Sequence, residues 1–349
     1  MDSAAKFING IKEKDNIIIV FHNDADGCCS AAMMKKFLER TGRKNILLIS
    51  QLMPPEPYLI KRIQTTVPQK IIFLDLAIDQ QYATIKKLGG IADILVIDHH
   101  QIERNLNTKN VVHCNPRFEK KDTYQSASYL VYKILSQIAD MSDMLWIAGV
   151  GMVADYNLDD SQDIVKEIRK KYKIEDGLFE SILGRIAEMI VAAKATKDLA
   201  MEQIVYVIES AESPEGIENV NNGGKMIEAY KKMEMEKKSI LSDAEASGEK
   251  SGKIIFYNMK SQFNLRSPIS TVLSNRYKKS LVVVYQLDKK KIRASGRNQS
   301  GDINVGAVFQ KAAGGMKASA GGHEAAAGAT LDENDWPRFK EKLKEYVNG

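Results

Sequence analysis

Two short clusters in this chain combine imidazole and carboxylate side chains, the donor types that bind transition metals. The first is His22-Asn23-Asp24-Ala25-Asp26-Gly27 and the second is Asp98-His99-His100, in a chain of 349 residues with only 5 histidines. Imidazole together with carboxylates suits manganese, iron or zinc, whereas an all-oxygen set would suit magnesium. The two clusters therefore predict a metal site that uses both donor types.

Two further aspartates, Asp75 and Asp155, extend the set to two imidazoles and four carboxylates. That many ligands favours two metal ions over one, with one carboxylate bridging them. Such a site activates water for an in-line displacement at phosphorus. Taken alone, an aspartate at a strand end is most often a turn or cap residue, so the hypothesis depends on the paired clusters. His113 has no such cluster beside it and is expected to be a packed or surface histidine.

Apolar stretches that end abruptly precede these residues, and they predict buried strands. Alternation with helices at about 28–40, 58–65 and 80–88 predicts a parallel sheet, whose carboxyl ends gather ligands. In an extended segment, His22, Asp24 and Asp26 would point the same way before Gly27 lets the chain turn. A rigid proline-rich loop is predicted at 53–57. The predicted strands are 17–21, 46–49, 70–74, 94–97 and 110–114.

The rest of the chain predicts a helical region, a connecting helix and a second domain. Asn221-Asn222-Gly223-Gly224 is expected to break the chain before a charged linker helix. Ala320-Gly321-Gly322-His323 is expected to precede the last strand. The fold class is α/β, a parallel-sheet N-terminal domain plus a smaller mixed α/β C-terminal domain. The predicted domains are 1–224, 225–250 (linker helix) and 251–349.

Composition narrows the class of protein. The formal net charge of +5 permits a phosphate-rich partner without requiring one. No apolar run approaches the roughly 20 residues that span a bilayer, and the N-terminus is too short and too charged for a signal peptide. Three cysteines, an odd number, favour free thiols in a reducing cytoplasm.

These motifs, in this order, resemble the DHH phosphoesterase family. The resemblance is carried by the first cluster, Asp75, Asp98-His99-His100 and Asp155, and by Gly321-Gly322-His323 near the C-terminus. It covers nearly the whole chain and is strongest to the RecJ-like and nanoRNase-like branch, especially its archaeal RecJ-like members. One departure is Ala320, which stands where the family's C-terminal signature usually has a third glycine.

The resemblance implies a role for each residue. One manganese ion would be bound by His22, Asp24 and Asp75, and the other by Asp26, Asp75, His99 and Asp155, with Asp75 bridging. Mg²⁺ or Co²⁺ are possible substitutes. His100 would lie beside the scissile phosphate, and Asp98 would orient a neighbouring histidine, His99 in our interpretation. The second domain would close over this site, and its substrate-binding residues would be Arg293, Arg297, Gly321, Gly322 and His323.

The implied activity is that of a manganese-dependent exonuclease that acts on single-stranded DNA or RNA. One alternative is a phosphodiesterase for short oligonucleotides or small nucleotides, because large RecJ nucleases carry an additional nucleic-acid-binding domain for which this chain has no evident room. Another is a replication protein that binds the GINS complex, with or without nuclease activity. A pyrophosphatase is disfavoured, because family members with that activity carry a different C-terminal domain.

Overall fold

The computed structural model describes residues 1–55, 58–175 and 177–349, so part of the predicted loop at 53–57 (Glu56 and Pro57) lies outside the described residues. The chain forms two compact units, Met1–Tyr230 and Lys231–Gly349. Each unit has its own sheet and its own hydrophobic core. Within the described residues, no helix is both long enough and apolar enough to cross a membrane.

The first unit is built on a parallel sheet of five strands, which confirms the predicted fold class. The spatial order is β2-β1-β3-β4-β5, and every pairing is parallel. Phe21 pairs with Leu74 and Leu74 with Ile97, so His22 at the end of β1 lies level with Asp75 and Asp98, which directly follow β3 and β4. The strands are β1 (Ile17–His22), β2 (Ile46–Gln51), β3 (Lys70–Leu74), β4 (Asp93–Ile97) and β5 (Val111–Cys114).

Helices surround this sheet and form the remainder of the first unit. The sixth helix, α6, ends directly before Asp155 and is buried along almost its whole length, because α2, α5 and α8 all pack against it. Burial on every side explains why its sequence is apolar throughout. The helices are α1 (Asp2–Asn9), α2 (Ala25–Arg40), α3 (Leu59–Thr65), α4 (Tyr82–Leu88), α5 (Ala127–Leu135), α6 (Leu145–Ala154), α7 (Gln162–Tyr172), α8 (Ile182–Thr196) and α9 (Met201–Ser210).

The long charged helix α10 spans Gly223–Ser247, and the boundary between the two units falls inside it. The prediction that Gly223 and Gly224 break the chain is wrong, because these glycines begin the helix. A Cβ at Gly223 would lie 1.7 Å from the carbonyl oxygen of Ile217. The glycine is therefore needed for a close backbone approach at the start of the helix, not for a break.

The second unit contains a mixed sheet of six strands in the order β10-β11-β9-β8-β7-β6, in which only β7 and β8 are parallel. Phe256, Phe309, Trp336 and Phe339 form its aromatic core. The elements are β6 (Glu249–Ser251), β7 (Ile254–Asn258), α11 (Arg266–Arg276), β8 (Leu281–Asp288), β9 (Lys291–Arg297), α12 (Val305–Ala313), β10 (Ala318–Gly322), β11 (Ala326–Asp332) and α13 (Trp336–Asn348).

The glycine-rich segment of this unit differs from the prediction. Gly321 and Gly322 precede the last strand, β11, as expected, but they lie within a further strand, β10, which pairs with it and was not predicted. Ala, Ser and Gly have low strand propensity, so the strand is formed by pairing with β11 more than by local preference. The segment is thus a strand whose backbone is little covered by side chains.

Candidate metal centre

The first cluster lies where strand β1 meets helix α2. His22 ends the strand, and Asp24 caps the helix by accepting a hydrogen bond from the Gly27 N–H (3.0 Å). Asp24 Oδ2 lies 2.6 Å from His22 Nδ1, and Asp75 Oδ2 lies 3.4 Å from the same atom. Burial opposes protonation of His22, but the two carboxylates prevail and raise its pKa to about 10.

Helix α2 begins at Ala25, three residues earlier than predicted, which changes the argument for Asp26. Asp26 is helical, so it does not join His22 and Asp24 by the alternation of an extended segment. Because the chain already turns at Asn23 and Asp24, Gly27 lies inside the helix. A Cβ there would lie 2.3 Å from the His22 carbonyl oxygen, so glycine allows the helix to start directly against the strand.

Asp26 is held by a distant part of the chain. It is 2 % exposed, and its carboxylate accepts hydrogen bonds from the backbone N–H groups of Ala127 (2.8 Å) and Ser128 (3.0 Å) at the start of α5. Burial raises its pKa well above the ordinary value, and the charges of Asp75 and Asp155 add to the effect. A buried group of like charges of this kind is stabilised by a bound cation.

Asp75 lies between the first cluster, which contains His22, and the second cluster, which contains His99. Its Oδ2 faces His22 Nδ1, and its Oδ1 lies 3.2 Å from His99 Nε2. The residue is 2 % exposed and has a φ of 60°, a left-handed conformation that aspartate tolerates better than most residues do. This turn directly after β3 places one carboxylate oxygen towards each half, as a bridging ligand requires.

The three residues of the Asp98-His99-His100 stretch have different surroundings. His99 is 4 % exposed, and its Nδ1 lies 3.7 Å from Asp155 Oδ2. Asp98 Oδ1 lies 2.7 Å from Nδ1 of His100, whose side chain is 42 % exposed. Our interpretation that Asp98 supports His99 is therefore wrong, because its hydrogen-bond partner is His100. That hydrogen bond raises the pKa of His100.

Several residues that position the site were not predicted from the sequence. Arg117 Nε donates to the His99 carbonyl (2.8 Å), and Asn115 Nδ2 donates to the His100 carbonyl (3.0 Å). Tyr124 donates its hydroxyl to the Asp155 carbonyl (3.1 Å), and its ring lies 5.5 Å from the His99 ring. The segment after β5, which contains Asn115-Pro116, was the available signal, but its contacts depend on the fold.

Within the described residues, three groups of side chains could hold a metal ion, and the ligand atoms of each lie within 4.8 Å of one another. Their buried atoms support this fit, because His22 Nδ1, His99 Nδ1 and Asp155 Oδ2 make no hydrogen bond within the described chain despite the charged atoms beside them. Such atoms are free to bind a cation. The groups are His22–Asp24–Asp75, Asp26–His99–Asp155 and Asp75–His99–His100.

Family models account for both units of this arrangement. The model of the DHH family N-terminal domain matches residues 16–158, and the model of the DHHA1 domain matches residues 260–349. The chain belongs to the DHH family. It combines a DHH family N-terminal domain with a C-terminal DHHA1 domain, as the sequence motifs predicted.

Solved structures share this fold at low sequence identity. RecJ from Thermus thermophilus in complex with Mn²⁺ is 16 % identical to this chain, with a TM-score of 0.68. The match covers 99 % of this chain and 54 % of RecJ, so this DHH protein spans about half the length of that RecJ. CDC45 from Entamoeba histolytica is 13 % identical (TM-score 0.55, 100 % and 99 % covered). The pGpG-specific phosphodiesterase PggH from Vibrio is 15 % identical (TM-score 0.50, 95 % and 98 % covered). Among curated proteins, none matches this DHH chain.

The DHHA1 domain has a cavity of about 510 Å³ that brings together some of the predicted substrate residues. Arg293 and Gly321 line it, together with Arg266. Burial and the nearby Arg293 lower the pKa of Arg266. Arg297, Gly322 and His323 are not among the lining residues. His323 is exposed just after β10, and Arg297 has a buried Nε atom without a hydrogen-bond partner in the described chain.

Proposed function

We propose that this DHH phosphoesterase is a manganese-dependent phosphodiesterase that degrades single-stranded DNA or RNA from one end, as a RecJ-like exonuclease. The observation that carries the proposal is the position of Asp75, whose two carboxylate oxygens face two separate groups of ligands. A carboxylate shared in this way is the feature that distinguishes a two-metal phosphoesterase site from two unrelated sites.

In this proposal, His22, Asp24 and Asp75 hold one Mn²⁺, and Asp75 is shared with the second, which is also held by Asp26, His99 and Asp155. Mixed imidazole and carboxylate donors suit manganese, and Mg²⁺ or Co²⁺ would substitute. When bound, a pair of such ions lowers the pKa of a water molecule and offsets negative charge at the scissile phosphate.

His100 is proposed to act on the substrate side. Asp98 accepts a hydrogen bond from its Nδ1 atom and raises its pKa, which favours the protonated ring; in that form the Nε2 N–H can donate to a phosphate oxygen. Its side chain is 42 % exposed, whereas that of Asp98 is 3 % exposed. The buried carboxylate therefore fixes the orientation of a ring that a substrate can reach.

We further propose a catalytic domain (1–224), a linker (225–250) that consists mostly of α10, and a substrate-binding domain (251–349). In the last of these, Arg293 and Gly321 bind phosphates in the cavity, and Arg266 joins them. Guanidinium groups suit phosphate oxygens, and a glycine floor lets a phosphate approach the backbone. Arg297, Gly322 and His323 are proposed to extend this surface.

The test is digestion of end-labelled single strands of DNA and RNA in the presence of Mn²⁺. We expect products to shorten progressively from one end, and duplexes to resist. Asp75→Asn should abolish hydrolysis with every divalent metal tried. Asp163→Asn, which changes an exposed aspartate paired with Lys133 (3.0 Å), is the matched control and should retain activity. Hydrolysis by Asp75→Asn at the wild-type rate would overturn the proposal.

A second candidate is a phosphodiesterase for dinucleotides or short oligonucleotides. The fold shared with the pGpG-specific phosphodiesterase over nearly the full length of both chains favours it. The two candidates predict opposite trends when kcat/KM is measured against substrate length. For an exonuclease, kcat/KM stays constant or increases as strands lengthen, whereas for a dinucleotide enzyme it falls beyond the first few nucleotides.

A third candidate is a replication protein that binds the GINS complex, favoured by the fold shared with CDC45 across both whole chains. Co-purification with GINS subunits would support it. Asp75→Asn separates binding from catalysis, because a docking surface does not depend on the metal centre. If the variant still binds GINS but does not cut nucleic acid, both roles belong to one protein.

A further inference from the structure

An exposed aromatic pair lies directly beside the metal centre. Tyr156 follows the metal-ligand candidate Asp155, and its side chain is 79 % exposed. Its ring stacks on that of Phe179, with the centroids 5.3 Å apart and the planes at 27°. Phe179 is itself 43 % exposed. One face of the Tyr156 ring therefore rests on Phe179, and the other is open to solvent.

The backbone that carries Tyr156 is locked, although the side chain is exposed. Helix α6 ends in a Schellman motif, in which the Tyr156 N–H donates to the Val153 carbonyl (3.2 Å) and the Asn157 N–H to the Met152 carbonyl (2.9 Å). Asn157 is 1 % exposed, and its side chain bonds to the Tyr124 carbonyl and to Ser161. The residue after the helix is thus held from both sides.

Tyr156 occupies a position that favours glycine. Its φ is 53°, in the left-handed region, where a bulky residue is strained. Strain of this kind persists only where the surrounding structure holds the residue in place, and it is concentrated at active sites and ligand-binding segments. Phe179 is also fixed, because Gly184 lets α8 pack against it so closely that a Cβ at Gly184 would lie 1.9 Å from the Phe179 carbonyl oxygen. The chain therefore fixes the backbone of both residues, and the Tyr156 ring is further positioned by its stacking on Phe179.

We propose that Tyr156, backed by Phe179, is a stacking platform for one nucleobase of the substrate. The inference rests on the proposed function, because it takes the substrate to be a nucleotide chain cut at the neighbouring metal centre. Aromatic side chains bind bases of any sequence through their faces, and a ring that is already positioned loses little entropy on binding. One open ring face matches a single base, whereas a stable protein interface needs about 800 Å² per partner.

The experiment measures KM and kcat with single strands in Mn²⁺ for four variants. Tyr156→Gly removes the ring and relieves the left-handed strain, so its Tm should equal or exceed that of the wild type. Tyr156→Leu keeps the bulk without the ring, and Tyr156→Phe keeps the ring. Tyr206→Leu is the control, because Tyr206 is also exposed (45 %) but lies far from the metal centre. Its ring packs on Lys35, which is about 15 Å along α2 from the start of that helix at Ala25.

We expect Tyr156→Gly and Tyr156→Leu to raise KM roughly 5- to 150-fold, the range of a lost base–aromatic stack, with little change in kcat. Tyr156→Phe and the control should match the wild type. The same enzymes are then tested on strands that lack one base at successive distances from the cut end. At one position, removal of the base should raise KM for the wild type but not for Tyr156→Gly.

The outcomes separate this inference from the proposed function. If the wild type digests single strands and Tyr156→Gly does so with the same KM, the platform is refuted and the exonuclease proposal stands. A fall in Tm for Tyr156→Gly, with an equal loss of activity in Tyr156→Phe, would assign a structural role to the residue instead. A wild type that neither binds nor cuts any oligonucleotide overturns both proposals.

Discussion

Replacing Asp75 with asparagine is expected to remove both metal ions with a single change. Its two oxygens lie 3.4 Å from His22 Nδ1 and 3.2 Å from His99 Nε2, so it belongs to both halves of the cluster. Asparagine has the same shape and also tolerates the left-handed φ of 60° at this position. The variant should therefore fold, and any loss of metal reflects the missing carboxylate.

The expected change in Tm follows from the linkage between metal binding and folding. A ligand at about 100 times its Kd stabilises the folded state by about 2.7 kcal/mol per site. For a unit of the size of Met1–Tyr230, each kcal/mol added to the free energy of unfolding raises Tm by about 2–4 °C. Two sites should then raise the Tm of the wild type by about 11–22 °C. Asp24→Asn affects only one half, so about half of that rise should remain, and Asp75→Asn should show almost none.

The assay compares thermal unfolding with and without Mn²⁺ and measures the bound metal after dialysis. We expect two ions per chain for the wild type, one for Asp24→Asn and less than one for Asp75→Asn. Asp163→Asn is the control, because its side chain is 50 % exposed and lies outside the three metal-binding groups. Two retained ions in Asp75→Asn, or an equal loss in both site variants, would refute the bridging role.

Three further changes test the surroundings of the site. Asp98→Asn should lower kcat about 10- to 100-fold at unchanged metal content, and it should add little to His100→Ala, because the two act as a unit. Gly151→Ala should destabilise the fold by about 1–3 kcal/mol, because its Cβ would lie 2.3 Å from Ser128 Oγ, and adding Ser128→Ala should restore part of that loss in urea unfolding. Burial raises the pKa of Glu209 to about 7, so the folded state keeps a proton that the unfolded state releases at lower pH. Relative to Glu209→Gln, the wild type should therefore lose stability between about pH 5 and about pH 8, and parallel curves would contradict this.

The parallel sheet was predictable because its strands are short apolar runs bounded by polar residues. Strand β3 has the predicted limits, Lys70–Leu74, and Asp75 follows it as expected. Once the strands are parallel and in register, residues that follow their carboxyl ends must lie near one another. The proximity of His22, Asp75 and Asp98 thus follows from local hydrophobic patterns and a general rule of topology.

The remaining features depend on contacts between distant parts of the chain. Asp26 is held by backbone groups 101 and 102 residues further on, and no local pattern contains that information. The partner of Asp98 was wrongly assigned to the adjacent His99, because side-chain direction after the strand is set by packing. Strand β10 was missed for the same reason, since its residues favour a strand only when β11 lies beside them.

The electrostatics of the cluster connect these long-range contacts to its chemistry. Burial and mutual repulsion raise the pKa of Asp26, and burial raises that of Asp155 to about 6, against the opposing effect of His99. Apolar replacements at these buried positions would usually suit a fold better than charges do. The chain instead supports the carboxylates with N–H groups from α5 and with two imidazoles. In the protein alone, the buried carboxylates still repel one another, and bound divalent cations would offset that repulsion. We therefore expect metal binding and the final packing of this edge of the sheet to occur together.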